Sequence, residues 1–171
     1  MSLINTVSPE NAESVVKETY DMMMDLTGEI PEPIELWSAS PGLLKHRRDL
    51  LEYYLSSGLS TALLAFIRYI AASMNHSGAC SLFNARLLQS GGMTDANLEA
   101  IQKDASSAPL DDKEKKMLTF VLKVVKDSDN ATQEDVDELR ELGWSDKQIF
   151  DAVHQGVDMI LVGKMMNIFK M

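Results

Sequence analysis

The sequence predicts an all-α protein, and three observations carry that prediction. Apolar residues recur at three- and four-residue intervals through most of the chain, the spacing that lines one face of a helix. No stretch alternates apolar and polar residues as a half-buried strand would. Ser, Thr or Asp precedes most periodic segments and Gly follows several, and these residues start and stop helices.

Ser8-Pro9-Glu10 opens the first helix: serine caps, proline fits the first turn and glutamate suits the positive end of the dipole. Val15, Thr19, Met22, Met23 and Leu26 continue it, and Gly28 ends it. Ile30-Pro31-Glu32-Pro33 reads as a stiff connector. Ser40-Pro41 opens a second long helix with a broad stripe through Leu43, Leu44, Arg47, Leu50, Leu51, Tyr54 and Leu55, stopped by Gly58. Ser60 caps a third helix over roughly 61–75, and a fourth covers roughly 78–90 before Gly91-Gly92. Thr94 starts a short fifth helix to about Lys103. Asp111 opens another, with Met117, Phe120, Val121, Val124 and Val125 at helical spacing. Thr132-x-x-Asp135 is a capping-box pattern whose helix ends at Gly143. Ser145-x-x-Gln148 is a second box, before a last helix from about Asp146 to Ile168. That helix is apolar over much of its circumference between Val153 and Phe169, as expected of a helix buried in a core or between subunits.

Length and charge narrow the function. The 171 residues, 45% apolar and 25% charged, fit a single domain, 1–171, with enough chain for a real core. A net charge of −10 argues against nucleic acid and against an anionic membrane surface, because both need clustered Lys and Arg. The apolar run Met159–Gly163 is far too short to span a bilayer. Met1–Asn5 shows neither a basic n-region nor an apolar h-region, so no signal peptide is expected there. A single cysteine rules out an internal disulfide and suits a reducing, cytoplasmic setting. The three histidines, His46, His76 and His154, and the one cysteine show no metal-ligand spacing, so no metal and no other cofactor is expected. Gly91-Gly92 follows a helix rather than a strand and is a helix stop, not a phosphate loop. The acidic run Glu134, Asp135, Asp137 and Glu138 reads as a solvated helix face, and the eleven methionines as core filling.

The one cysteine sits in the most informative stretch. Cys80 lies three residues after Ser77 and four before Asn84, positions that share one stripe on a helix. The surrounding order is I-P-E-P, then S-P-G-L-L-K-H, then Leu59-Ser60 opening a helix that ends at Asn75. A cysteine-bearing helix, Gly91-Gly92, T-x-x-x-L-x-x-I, A-P-L-D-D-K-E-K and D-V-D-E-L-R-E-L-G-W-S-D-K-Q-I follow. This order resembles the alkylhydroperoxidase D-like / carboxymuconolactone decarboxylase superfamily, and is most similar to its peroxidase-related branch. The resemblance spans nearly the whole chain. It implies an orthogonal helical bundle of about seven to eight helices and a homo-oligomer.

In the peroxidase members, the resemblance implies, a Glu is followed twelve residues on by C-x-x-C and then by a His four residues after the second Cys. The second Cys attacks peroxide, the first resolves it, and Glu and His relay the proton. Here those positions are Ala65, Ser77, Cys80 and Asn84, so three of the four are changed. The fold expectation rests on helices, caps and spacing and is untouched. The peroxidase expectation is weakened.

Three readings of the site stay open. In the first, Cys80 alone is oxidised to sulfenic acid and an external thiol restores it. Arg68 and His76 are then the nearest positive groups, and the start of the Cys80 helix adds its dipole. In the second, Cys80 is a small buried hydrophobe and the protein is a non-catalytic binding or assembly member of the fold. In the third, the chain is a lyase acting on a small organic acid, with Arg68 anchoring the carboxylate through its bidentate fork. The decarboxylase branch uses a histidine near the Asn84 position, which this chain lacks.

Overall fold

The structure is a computed structural model that describes residues 2–74 and 78–171; Ala79 and Cys80 are described by their backbone alone. Among the described residues there are nine α-helices, three short 3-10 turns and no strand, so the all-α expectation holds. The chain forms two compact units, residues 1–56 with 164–171, and residues 57–163.

In the first unit, Pro9–Asn11 is a separate 3-10 turn, and helix α1 begins only at Ser14 and runs to Thr27. The Ser8-Pro9-Glu10 start therefore belongs to a short turn, not to α1. Gly28 closes α1 as expected: its φ of 76° is left-handed, and its N–H donates to the Met24 carbonyl at 2.9 Å. The expected connector is itself helical. Pro33 occupies the second position of α2, Glu32–Trp37, where its missing N–H costs nothing. Helix α3 spans Pro41–Leu55 and packs against α1 and α2. Val16, Tyr20, Met23, Ile34, Leu36 and Leu44 are buried. The Arg48 guanidinium donates to Glu18 at 2.7 Å, tying α3 to α1, and Arg47 lies 5.0 Å over the Trp37 ring. The N-terminal segment is held by Val7 N–H to Ser38 Oγ (2.7 Å) and by Tyr20 O–H to the Val7 carbonyl (2.7 Å).

The second unit carries helices α4 (Thr61–Met74), α5 (Gly78–Ser90), α6 (Asp95–Lys103), α7 (Asp112–Lys126) and α8 (Gln133–Glu141), and α9 (Asp146–Phe169) through Gly163. Helix α4 is its centre: eight of its residues from Leu63 to Ala72 are buried, and it packs against α5, α6 and α7. Ile67, Met117, Leu118, Val121 and Leu139 are fully buried, each worth about 1.5–3 kcal/mol of apolar transfer. The caps read from sequence are present. Ser60 Oγ accepts from Leu63 N–H at 3.0 Å, and Thr132 with Asp135 and Ser145 with Gln148 bond reciprocally. Thr94 forms a further box with Asn97. Trp144 donates its indole N–H to the Lys113 carbonyl at 3.2 Å, and Lys113 Nζ sits 4.2 Å over the same ring, closing α8's end onto α7's start.

Helix α9 is not buried all round. Ala152, Gln155, Gly156 and Met159 are buried, whereas Phe150, His154, Val157 and Leu161 face solvent. The α8 acidic run is solvated but also tied down: Asp135 pairs with Lys123 at 2.7 Å, Asp137 with Arg140 at 2.8 Å, and Glu138 with Lys116.

Candidate functional site

Helices α4 and α5 present the candidate residues, and they pack closely against each other. Helix α5 runs from Gly78 to Ser90, the span expected, so the Cys80 backbone lies in its first turn. One turn on, Asn84 is 4% exposed, and Leu88, four residues further, is 7% exposed. These two residues set the inward side of α5. On α4, Ala65 and Arg68 are half-buried and three residues apart, hence neighbours on its less buried side. Both Arg68 and Asn84 are engaged by neighbouring groups. Ser77 and His76 lie outside the described residues.

A polar network that no sequence motif marks links α4, α5 and α6 beside Cys80. Ser73 Oγ, in the last turn of α4, lies 2.8 Å from Ser81 Oγ, the residue after Cys80. Ser73 also donates to the Tyr69 carbonyl at 2.9 Å. Gln102 on α6 donates its amide to Tyr69 Oη at 2.6 Å and to Ser73 Oγ at 3.1 Å. Tyr69 is 4% exposed, and burial raises its phenol above the ordinary value against the opposing Gln102 bond. Three helices therefore meet at the turn that carries Cys80. The only sequence signal is Tyr69 and Ser73 at i, i+4; nothing marks Gln102, 29 residues further along.

Chemically, the positions divide. Ala65 supplies no acid or base. The Asn84 amide can donate or accept a hydrogen bond, but it takes no proton at neutral pH. The proton relay that the resemblance implies thus has no ionisable group at either position. His46 and His154 are both exposed, and His154 stacks on Phe150. Among the described residues, no group of three or more His, Cys, Asp and Glu is placed to hold a metal ion. Among them, too, no helix is long and apolar enough to cross a membrane.

No protein-family model matches the sequence, and no curated protein sequence matches it. Solved structures do. An uncharacterized peroxidase-related protein from Ralstonia eutropha JMP134, described as an alkylhydroperoxidase AhpD core, superposes with a TM-score of 0.80 at 19% identity, over 99% of this chain and 90% of its own. An uncharacterized peroxidase-related protein from Silicibacter sp. TM1040 gives a TM-score of 0.81 at 16% identity, with the same coverage of 99% and 90%. A protein of unknown function from Agrobacterium tumefaciens matches with a TM-score of 0.64 at 19% identity, over 78% of this chain and 92% of its own. The chain therefore has the alkylhydroperoxidase D-like all-α fold.

Proposed function

We propose that the chain is a diverged member of the alkylhydroperoxidase D-like superfamily in which the two-cysteine relay is lost and Cys80 is the one remaining peroxide-reactive group. The observation that carries this reading is the position of Cys80. It lies in the first turn of α5, and the residue beside it is clamped to α4 and α6 through Ser73 and Gln102. A helix start favours the thiolate, which is the reactive form. The Cys80 thiolate attacks one peroxide oxygen, the O–O bond breaks, and the alkoxide leaves and takes a proton from solvent. Cys80 becomes a sulfenic acid. With Ser77 in place of a resolving cysteine, an external thiol condenses with the sulfenic acid and releases water. A second equivalent then attacks that mixed disulfide, breaking its S–S bond, so that Cys80 leaves as the thiolate and the external thiol as its disulfide. The likeness to peroxidase-related proteins supports this class of chemistry. The enzyme acts as a cytoplasmic homo-oligomer that carries no cofactor.

The test is sulfenic acid trapping. One equivalent of hydroperoxide with dimedone is expected to label Cys80, as read by peptide mass spectrometry. An unlabelled Cys80 in folded protein overturns the reading.

A second reading is favoured by Ala65 and Asn84: with no ionisable group at either relay position, the protein is a non-catalytic binding or assembly member of the fold. It predicts an inert thiol in the same experiment.

A further inference from the structure

One buried hydrogen-bond donor beside the Cys80 turn has nothing to donate to. Ser73 gives its hydroxyl hydrogen to the Tyr69 carbonyl at 2.9 Å. Ser81 is therefore the donor in the 2.8 Å contact between the two serines. Gln102 uses both amide hydrogens, one on Tyr69 Oη at 2.6 Å and one on Ser73 Oγ at 3.1 Å. Ser73 Oγ thus donates once and accepts twice, and is saturated. Tyr69 Oη accepts from Gln102, but its own O–H meets no acceptor among the described residues. Tyr69 is 4% exposed. A buried donor left unused in a network otherwise complete needs an explanation, and a ligand oxygen supplies one.

Its place in the fold indicates which oxygen. Ser81 follows Cys80 in the chain and shares the inward side of α5 with the buried Asn84 and Leu88. Tyr69 and Ser73 sit one turn apart on α4, which packs closely against α5. The phenol therefore belongs to the stripe of α4 that meets Ser81. Gln102 occupies one side of Oη, which leaves the O–H turned away from it. Burial holds the phenol above its ordinary value, so it keeps its proton at neutral pH. Such a neutral, oriented donor suits an oxygen on which negative charge develops during a reaction. Neither Ala65 nor Asn84 supplies an ionisable group for that purpose.

We propose that Tyr69 is a catalytic residue whose O–H donates a hydrogen bond to the leaving oxygen of a hydroperoxide reacting at Cys80. The proposal rests on the Cys80 peroxidase reading above. The Cys80 sulfur bonds to the terminal peroxide oxygen, the O–O bond breaks, and its electron pair stays on the inner oxygen. Cys80 becomes the sulfenic acid, and the alkoxide forms against the Tyr69 O–H. The hydrogen bond strengthens as the charge grows and so lowers the barrier. Solvent supplies the proton that turns the alkoxide into the alcohol, and the phenol is unchanged. Gln102 is a positioning residue, because its amide sets the direction of the hydroxyl.

The experiment follows loss of the chain's single thiol in one turnover with either of two oxidants, tert-butyl hydroperoxide and peracetic acid. The first expels a strongly basic alkoxide, which needs a donor; the second expels acetate, which does not. Tyr69→Phe keeps the ring and loses only the hydroxyl, and circular dichroism checks its fold. It is expected to slow the reaction with tert-butyl hydroperoxide at least about tenfold, and that with peracetic acid less than about twofold. Gln102→Ala, changed at an exposed position, is expected to shift the ratio of the two rates in the same direction, and it decides the matter if Tyr69→Phe does not fold. A purely structural role, or a changed thiolate fraction, slows both oxidants alike. That result, or no slowing of either, overturns the role of Tyr69 and leaves the Cys80 reading standing. A wild-type thiol that tert-butyl hydroperoxide does not consume overturns both.

Discussion

Gly156→Ala is expected to destabilise the protein, against the usual preference of a helix interior for alanine. A Cβ built on Gly156 lies 2.8 Å from Val121 Cγ1, 2.8 Å from Val125 Cγ2 and 3.7 Å from Ile67 Cγ2. Ordinary carbon–carbon contact is about 3.5–4.0 Å, so two contacts are short by nearly 1 Å. Both involve β-branched side chains of α7, which cannot swing aside without leaving their rotamers. Overpacking of this kind costs about 1–3 kcal/mol, while replacing Gly by Ala inside a helix returns about 1 kcal/mol. The net expectation is a loss of up to about 2 kcal/mol, or up to roughly 8 °C in Tm for a chain of this length. Gly42→Ala is the matched control. No heavy atom lies within 4 Å of its Cβ position, so the same change in α3 should stabilise by about 0.5 kcal/mol. Urea unfolding followed by circular dichroism measures both, with an unchanged m-value confirming that only stability moved. Adding Val121→Ala to Gly156→Ala should return about 0.5–1 kcal/mol of coupling, because it removes one short contact. A Gly156→Ala variant stabilised as much as Gly42→Ala would refute the close approach of α9 to α7.

Other expectations are local. Thr132→Ala removes the hydroxyl of a complete capping box and should cost about 1 kcal/mol in the same unfolding assay. Ser81→Ala should cost about 1 kcal/mol by taking away one of the three hydrogen-bond partners of Ser73, and should change the rate at which a thiol reagent modifies Cys80; an unchanged rate would show that the network does not position that turn. The Lys123 ammonium beside Asp135, helped by the Thr132 hydroxyl, holds that carboxyl down from 3.8 to about 2. A depressed folded-state value means this stabilisation is complete above pH 3.8 and is lost as the pH falls toward about 2. With 20% of the Asp135 side chain in water, solvent screening leaves about 1 kcal/mol, and Lys123→Ala should flatten the acid limb of stability against pH accordingly.

What the sequence revealed was local, because caps and stops act within one turn. Thr132-x-x-Asp135, Ser145-x-x-Gln148, Ser60 and Gly28 all do what their residue types imply. Proline misled twice for the same reason: it is tolerated in a first helical turn and also starts short turns. Pro33 thus hid α2, and Pro9 belongs to a 3-10 turn ahead of α1. Tertiary approach leaves no local mark. Gly156 reads as an ordinary glycine until Val121 and Val125 are placed beside it, and Gln102 reads as a surface amide until it meets Tyr69 and Ser73. The last helix showed its apolar content but not its division into a buried face and an uncovered one, because Phe150, Val157 and Leu161 are as apolar as the residues they alternate with. At the site, spacing along the chain singled out Ala65, Ser77, Cys80 and Asn84 as candidates. The hydrogen bonds that tie Ser81 to α4 and Ser73 to α6 join residues 8 and 29 positions apart.

In the proposed function Cys80 alone supplies the redox chemistry of this chain. Hydroperoxide consumption in the presence of an external dithiol tests it most directly, with the wild-type protein beside Cys80→Ser. Turnover in the wild type is expected to depend on the dithiol and to vanish in the variant. Equal consumption by both proteins, or none by either, would contradict it.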